Sequence, residues 1–177
     1  SRVLPLVSLA HAPSASNNHY WPEIYSNIPV GTVGTRNYGS DMDAGMRFGT
    51  APSFDSQMFA TPAEYAAALH AGRTERRYTP LDVADWLQEL ADGCEAALLA
   101  LKSAESYDTP AVQRIAIDCG ILAGMARFFA EKYRASTLTE LFLLSKATVA
   151  LATAERHLKR AVSAWEEVSA IAREVYP

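Results

Sequence analysis

The sequence predicts an all-α fold: an up-down-up three-helix antiparallel bundle with a short extra helix and a long irregular N-terminal arm. Three Thr-Pro pairs have the form of helix starts, and the stretch 125–176 contains neither glycine nor proline. Apolar residues recur there at alternating spacings of three and four. Five of the nine glycines and five of the nine prolines lie in the first sixty residues. We therefore expect an aromatic-rich arm over 1–60, packed on a helical bundle over 61–177.

The composition argues against two classes of partner. The chain has 177 residues, 49% of them hydrophobic, which is enough for one domain with a buried core. Its 16 basic and 20 acidic residues give a net charge of -4, so no broad basic surface exists to neutralise a phosphate backbone. No uncharged stretch approaches the roughly 20 apolar residues of a membrane span. We expect neither a nucleic-acid nor a membrane partner.

The apolar run 3–9 imitates the core of a signal peptide. We reject that interpretation because the run is short and contains Pro5. The run predicts a short buried strand instead. A strand needs a partner, which must come either from elsewhere in this chain or from missing sequence, so one expectation is that the chain is a piece of a longer polypeptide.

The Thr-Pro pairs predict helix starts at Pro62, Pro80 and Pro110, since threonine accepts free amide hydrogens and proline lacks one. The first two helices are expected over 62–71 and 80–105. One helix from 110 to 176 would be about 100 Å long, so a turn is expected within 145–148. The last helix then carries a heptad stripe expected to face the core. Its members are Leu151, Ala154, Leu158, Ala161, Trp165, Val168, Ala172 and Val175.

The helix that starts at Pro110 has two apolar faces and must be covered on two sides. One face continues the core stripe, and the other carries Ile117, Ile121, Met125 and Phe128. Left in water, that second face would cost several kcal/mol at about 25 cal/mol per Å². We expect the N-terminal arm to cover it.

Two cysteines lie on the facing stripes of adjacent helices. Cys94 and Cys119 are predicted to meet at one level, either as reduced thiols in the core or as a disulfide if the helices approach closely. Gly120 and Gly124 form a G-x-x-x-G pattern, which favours close approach of another backbone over a ligand groove. Without a matching histidine pair, the cysteines do not predict a zinc site.

No complete catalytic constellation is present. Asp118, among isoleucines, is a candidate buried acid that Arg114 can pair with. The stretch 41–45 begins like a calcium loop, but Pro52 stands where a bidentate glutamate is needed. No phosphate-binding, dinucleotide, zinc-protease or serine-hydrolase motif occurs. We predict no metal site, no cofactor and a non-catalytic chain.

The segment 11–25 is the one predicted loop that combines aromatic rings with polar groups. Rings give a stacking platform for a sugar, and amides, imidazoles and a carboxylate bind its hydroxyls. The alternative is that the rings anchor the arm to the bundle. The candidate glycan-binding residues are Asn17, Asn18, His19, Tyr20, Trp21, Glu23 and Tyr25.

The N-terminal sequences SRVLPLV, HAPSASNN and YWPEIY resemble a segment near the end of large secreted bacterial proteins of glycoside-hydrolase type. The helical stretch GMARFFAEKYRA, with Ala154, His157, Leu158, Ala161, Trp165 and Tyr176, is similar to the helical module of those proteins. The resemblance implies a non-catalytic accessory module or fragment of a carbohydrate-active bacterial protein, secreted or periplasmic. The paired carboxylates of glycoside hydrolysis have no counterpart, so the resemblance assigns no catalytic residue.

Two function classes follow. The first is an accessory module that contacts carbohydrate through the arm and belongs to a longer parent chain. The second is a protein-interaction bundle with no glycan role, which should expose apolar residues on its helices and bind a partner protein or itself.

Overall fold

The structure is a computed structural model that describes residues 2–12, 28–31, 47–173 and 175. Within these residues it is all-helical and has no β-strand, which confirms the predicted class. Single 3₁₀ turns occupy Phe48–Thr50 and Glu105–Asp108. The five α-helices are α1 (Val3–Ala10), α2 (Pro62–His70), α3 (Pro80–Lys102), α4 (Pro110–Ser145) and α5 (Thr148–Arg173).

The predicted helix starts are confirmed. At α2, Thr61 Oγ1 accepts from the Glu64 N–H at 3.2 Å, and the Glu64 carboxylate accepts from the Thr61 N–H at 2.9 Å. Thr79 and Asp82 form the same reciprocal box at α3. These boxes satisfy amide hydrogens that have no partner inside the helix.

The predicted break between the last two helices is also confirmed. Lys146 adopts a left-handed conformation, with φ of 58°, directly after α4 ends at Ser145. Its N–H donates to the Phe142 carbonyl at 2.8 Å, and the Ala147 N–H donates to Ser145 Oγ at 3.2 Å. Only Lys146 and Ala147 therefore separate α4 from α5. By contrast, α3 ends at Lys102, three residues before the predicted Glu105.

The predicted strand at residues 3–9 is wrong, because this run forms α1. A helix satisfies its backbone groups internally, whereas a strand here would need a partner strand. Pro5 lies in the first turn, where its missing N–H would have had no acceptor within the helix. Val3, Val7 and Ala10 form a buried face, and α1 packs on α3 and α4.

Helix α4 is the centre of the fold. Helix α3 packs on one side of it, where Arg134 pairs with Asp85 at 2.9 Å. Helix α5 packs on another side, where the rings of Phe128 and Trp165 lie 5.1 Å apart. Helices α1 and α2 and the turn Phe48–Thr50 also pack on α4. The largest fully buried side chains include Tyr133, Phe48, Phe129, Ile28, Leu87, His11, Val7 and Val83.

The described part of the arm packs on α4, as α1 and the turn Phe48–Thr50 show. Its contacts include Lys132, Tyr133 and Glu140, in the C-terminal half of the helix. Ile117 lies instead in a groove beside Ile171 of α5.

The stripe predicted for α5 has the correct period but is partly wrong in phase. Ala154, Ala161 and Val168 are buried as predicted, but Leu158 and Trp165 are 41% and 38% exposed. Ala150 and Ala164 are buried instead. Small side chains let α5 approach α4 closely, so the large side chains lie at the edge of the contact.

The two cysteines face each other at one level and are free thiols. Cys94 Sγ donates to the Cys119 carbonyl at 3.4 Å. Asp118 pairs with Arg114 at 3.8 Å as predicted, but its side chain is 48% exposed, so the prediction that it is buried is wrong. Ile115, one of its predicted apolar neighbours, is itself exposed and provides no burial.

The two glycines of α4 have different surroundings, which gives a matched pair of substitutions. A methyl group at Gly120 would meet only Ile171 Cδ1, at 3.9 Å, whereas one at Gly124 would overlap Val168 Cγ2 on α5. Both changes to alanine gain about 1 kcal/mol of helix propensity. We expect Gly120→Ala to raise the free energy of unfolding. We expect Gly124→Ala to lower it, because overpacking costs about 1–3 kcal/mol.

Urea denaturation followed by circular dichroism measures both changes. Equal stabilisation by the two substitutions would contradict the close contact between α4 and α5 at Gly124.

Candidate functional site

The residues predicted to bind glycan lie outside the described part of the chain. They are Asn17, Asn18, His19, Tyr20, Trp21, Glu23 and Tyr25. The weak calcium-loop candidate at 41–45 lies outside it as well. Within the described residues, two regions of α4 carry chemistry that a packed core does not require. One is a groove between α3 and α5, and the other is a buried polar junction with the arm.

The groove has an apolar half, formed where α3, α4 and α5 come together near residue 120. Leu98 and Leu99 of α3 form one wall and Ile171 of α5 the other. The floor belongs to α4 and has small residues at a helical spacing, Ala116, Gly120 and Ala123. The cavity has a volume of about 490 Å³. Because Leu99 is exposed and the floor has small side chains near Gly120, this half of the groove is an apolar recess in the surface.

Arg127 of α4 marks the end of this apolar half. Its guanidinium pairs with Glu95 of α3 and lies 3.7 Å from Glu167 of α5. One cation thus links both neighbouring helices across the floor. The same residue lines the next cavity along α4, so the two recesses adjoin at Arg127.

The second half of the groove, called here the polar half, is lined mostly by charged and polar residues and has a volume of about 420 Å³. Its lining includes Lys159, Arg160 and Ser163 of α5, and Glu131 of α4. Glu131 is buried and accepts from Arg134 at 2.9 Å and from His157 Nδ1 at 2.7 Å. Arg160 lies 3.7 Å from the same carboxylate. The charge of Glu131 is therefore compensated inside the protein.

The polar junction lies where residue 11 and the turn Phe48–Thr50 meet α4. His11 is fully buried and stacks on Phe48 with ring centres 3.9 Å apart. Its Nε2 donates to the Phe48 carbonyl at 3.1 Å. Tyr133 of α4 meets both rings edge-on. Lys132 Nζ lies 4.8 Å from the centre of the Phe48 ring and 5.3 Å from that of Phe128.

A partly buried ion pair fixes the arm about two turns further along α4. Arg47 donates two hydrogen bonds to the Glu140 carboxylate, at 2.9 and 3.0 Å. Gly49 lies so close to Glu140 and Ser136 that a Cβ there would overlap both side chains. The bidentate geometry holds the turn at a defined position on the helix.

Burial perturbs the titration of the junction. Desolvation, together with repulsion from Lys132, lowers the pKa of His11 to about 3. Burial lowers the pKa of Lys132 to about 7 and raises that of Tyr133. The hydroxyls of Tyr133 and Ser136 have no hydrogen-bond partner among the described residues. The junction therefore disfavours added charge and is best explained as the anchor of the arm.

Neither region has the geometry of a catalytic centre within the described residues. No hydrogen bond there joins a serine, threonine or cysteine nucleophile to a histidine base. No group of three or more metal-ligating side chains occurs in the part of the chain that the structure describes. None of the described helices is both long and apolar enough to span a membrane.

Comparison with protein families, with curated proteins and with solved structures finds no match for this chain.

Sequence reasoning did not identify the groove. The G-x-x-x-G pattern favours close helix contact at both glycines, yet Gly120 forms part of the groove floor and only Gly124 lies against α5. The usable signal was the exposed position of Leu99, off the core stripe of α3. The burial of Lys132 is not predictable from the sequence, because the residues around a lysine buried between aromatic rings do not differ in pattern from those around a lysine that faces solvent.

Acid is expected to destabilise the protein through the junction. The pKa of His11 is 6.5 when unfolded and about 3 when folded, so between these values the unfolded chain binds a proton that the folded chain does not. The free energy of unfolding therefore falls as the pH drops from 6.5 towards 3. Lys132 acts with the same sign between pH 10.5 and about 7.

Urea denaturation at a series of pH values measures this slope. We expect His11→Gln to flatten it below pH 6.5, since glutamine can donate to the Phe48 carbonyl without titrating. His70→Gln, on the exposed end of α2, should keep the wild-type slope. An unchanged slope in His11→Gln would show that the junction does not control acid stability.

Proposed function

We propose that this chain is a protein-interaction module that binds an amphipathic helix in the groove between α3 and α5. The observation that carries the proposal is the exposed apolar half of the groove, with Leu99 72% exposed at its wall. A folded domain gains by covering such a recess with a partner. Helix-in-groove binding is a common mode of peptide recognition.

The dimensions of the groove favour a helix as the occupant. Its floor extends along α4 from Ala116 to Glu131, which is about 22 Å or four helical turns at 1.5 Å per residue. Gly120 and the neighbouring alanines have little or no side chain, so the backbone of a bound helix can approach α4 closely. A helix placed there would complete a four-helix arrangement around the front of α4.

The proposal includes the up-down-up arrangement of α3, α4 and α5. The short connections favour antiparallel neighbours, because only Lys146 and Ala147 separate α4 from α5. Contacts between α4 and α5 support it as well. Gly124 faces Val168, and Glu131 pairs with His157. The residue number of the α5 contact falls as the residue number on α4 rises, as in an antiparallel pair of helices.

A carbohydrate-associated role stays a second proposal and rests on the sequence resemblance. It would make this chain an accessory module of a secreted or periplasmic bacterial glycoside-hydrolase-type protein. Contact with sugar would occur through the aromatic segment around Trp21. Ligand-observed NMR with polysaccharide fragments, comparing wild type with Trp21→Ala, distinguishes this role from helix binding.

A designed peptide tests the groove without knowledge of the natural partner. The probe is a fluorescein-labelled peptide of about 18 residues, with leucine at heptad a and d positions and neutral alanine and glutamine elsewhere. We expect micromolar binding by fluorescence anisotropy. Leu99→Glu should weaken it at least about ten-fold, because the peptide would bury an unpaired carboxylate.

Val149→Glu is the matched control. Val149 is 74% exposed, like Leu99 at 72%, but it does not line the groove. Neither change should unfold the protein, and only Leu99→Glu should weaken the peptide. Equal binding to both variants, or no binding to wild type, would reject the groove as the interaction surface.

A further inference from the structure

We infer that the helix taken by this groove is acidic at both of its ends and neutral in its middle. This inference rests on the proposed function and adds the charge pattern of the partner. It follows from the way charges are paired along the groove.

The carboxylates of the groove already have cationic partners. Glu95 and Glu167 share Arg127 at the middle of the groove. Glu131 is held by Arg134 and His157. A partner with lysine or arginine at its centre would have to compete with Arg127 for these carboxylates, and one with glutamate there would be repelled by them.

Each end of the groove instead has a lysine with no ion pair among the described residues. Lys102 lies at the apolar end, on the last turn of α3, and Lys159 lies at the polar end on α5. Both side chains are exposed. Arg160, which also lines the polar end, already lies 3.7 Å from Glu131 and so differs from these two lysines. The lysines stand out against the net charge of -4 of the whole chain.

The distance between these ends matches one helix. The groove is about four turns long, so carboxylates in the first and last turns of a bound helix reach the two lysines while its apolar stripe faces the floor. Complementary charges at the rim of an interface mainly set the partner choice and the association rate. The pattern therefore selects among amphipathic helices that would all fit the apolar recess.

The experiment uses two further versions of the labelled peptide with the same leucine stripe. One has glutamate in its first and last turns and the other has lysine there. We expect wild type to bind the glutamate version at least about ten-fold more tightly, with a preference that shrinks as salt rises from roughly 50 to 300 mM. The double variant Lys102→Glu/Lys159→Glu should reverse the preference.

Arg73→Glu/Arg76→Glu is the control for net charge, because it makes the same change in charge on the link between α2 and α3, outside the groove. It should keep the wild-type preference.

Two failures can be told apart. If wild type binds both peptides equally and Leu99→Glu weakens both, the groove binds helices and the charge pattern is wrong. If neither peptide binds in a way that depends on Leu99, the proposed function fails as well.

Discussion

The enclosure of α4 is the constraint on which the rest of the structure depends. A helix of 36 residues with two apolar faces cannot be buried by one neighbour. Helices α3 and α5 cover its two sides, and α1, α2 and the turn at Phe48 cover its back. The front, near Gly120, forms the floor of the groove, where Ile117 lies beside the smaller Ala116, Gly120 and Ala123. The groove is therefore a product of the same packing that stabilises the core.

The back of α4, which the arm covers, and the front, which forms the groove floor, differ in how far their charged groups are buried. At the back, Lys132 and His11 are buried between aromatic rings, and the only close ion pair that the described residues form there joins Arg47 to Glu140. Opening this surface would separate the stacked rings of His11 and Phe48 and break the bidentate pair between Arg47 and Glu140. At the front, the ion pairs of Arg127 are partly exposed to water. The back is suited to anchoring the arm and the front to exchanging partners.

The sequence allowed the starts of α2, α3 and α4 and the break between α4 and α5 to be predicted, because Thr-Pro pairs and the Ser145–Thr148 turn act through local hydrogen bonds. It did not allow the environment of each helix face to be predicted. Leu158 and Trp165 fit a heptad stripe as well as Ala150 and Ala164 do, and only the close approach of α5 at Gly124 decides between them. The prediction of a strand at residues 3–9 was wrong because a short continuous run of apolar residues shows neither the helical nor the strand periodicity that would distinguish the two structures. The groove depends on three helices together, so no local pattern encodes it.

Solvent relaxation of methyl groups in the intact chain tests the central claim most directly, with a soluble gadolinium chelate as the probe. If α4 is enclosed at the back and open at the front, the chelate can reach the methyl groups that line the groove. We then expect strong relaxation of the Leu99 and Ile171 methyls and clear relaxation of the Ile117 methyls. Methyls of Val7, Val83 and Leu87 should be protected, since all three are buried. Protection of the groove methyls to the same degree as these core methyls would contradict the account.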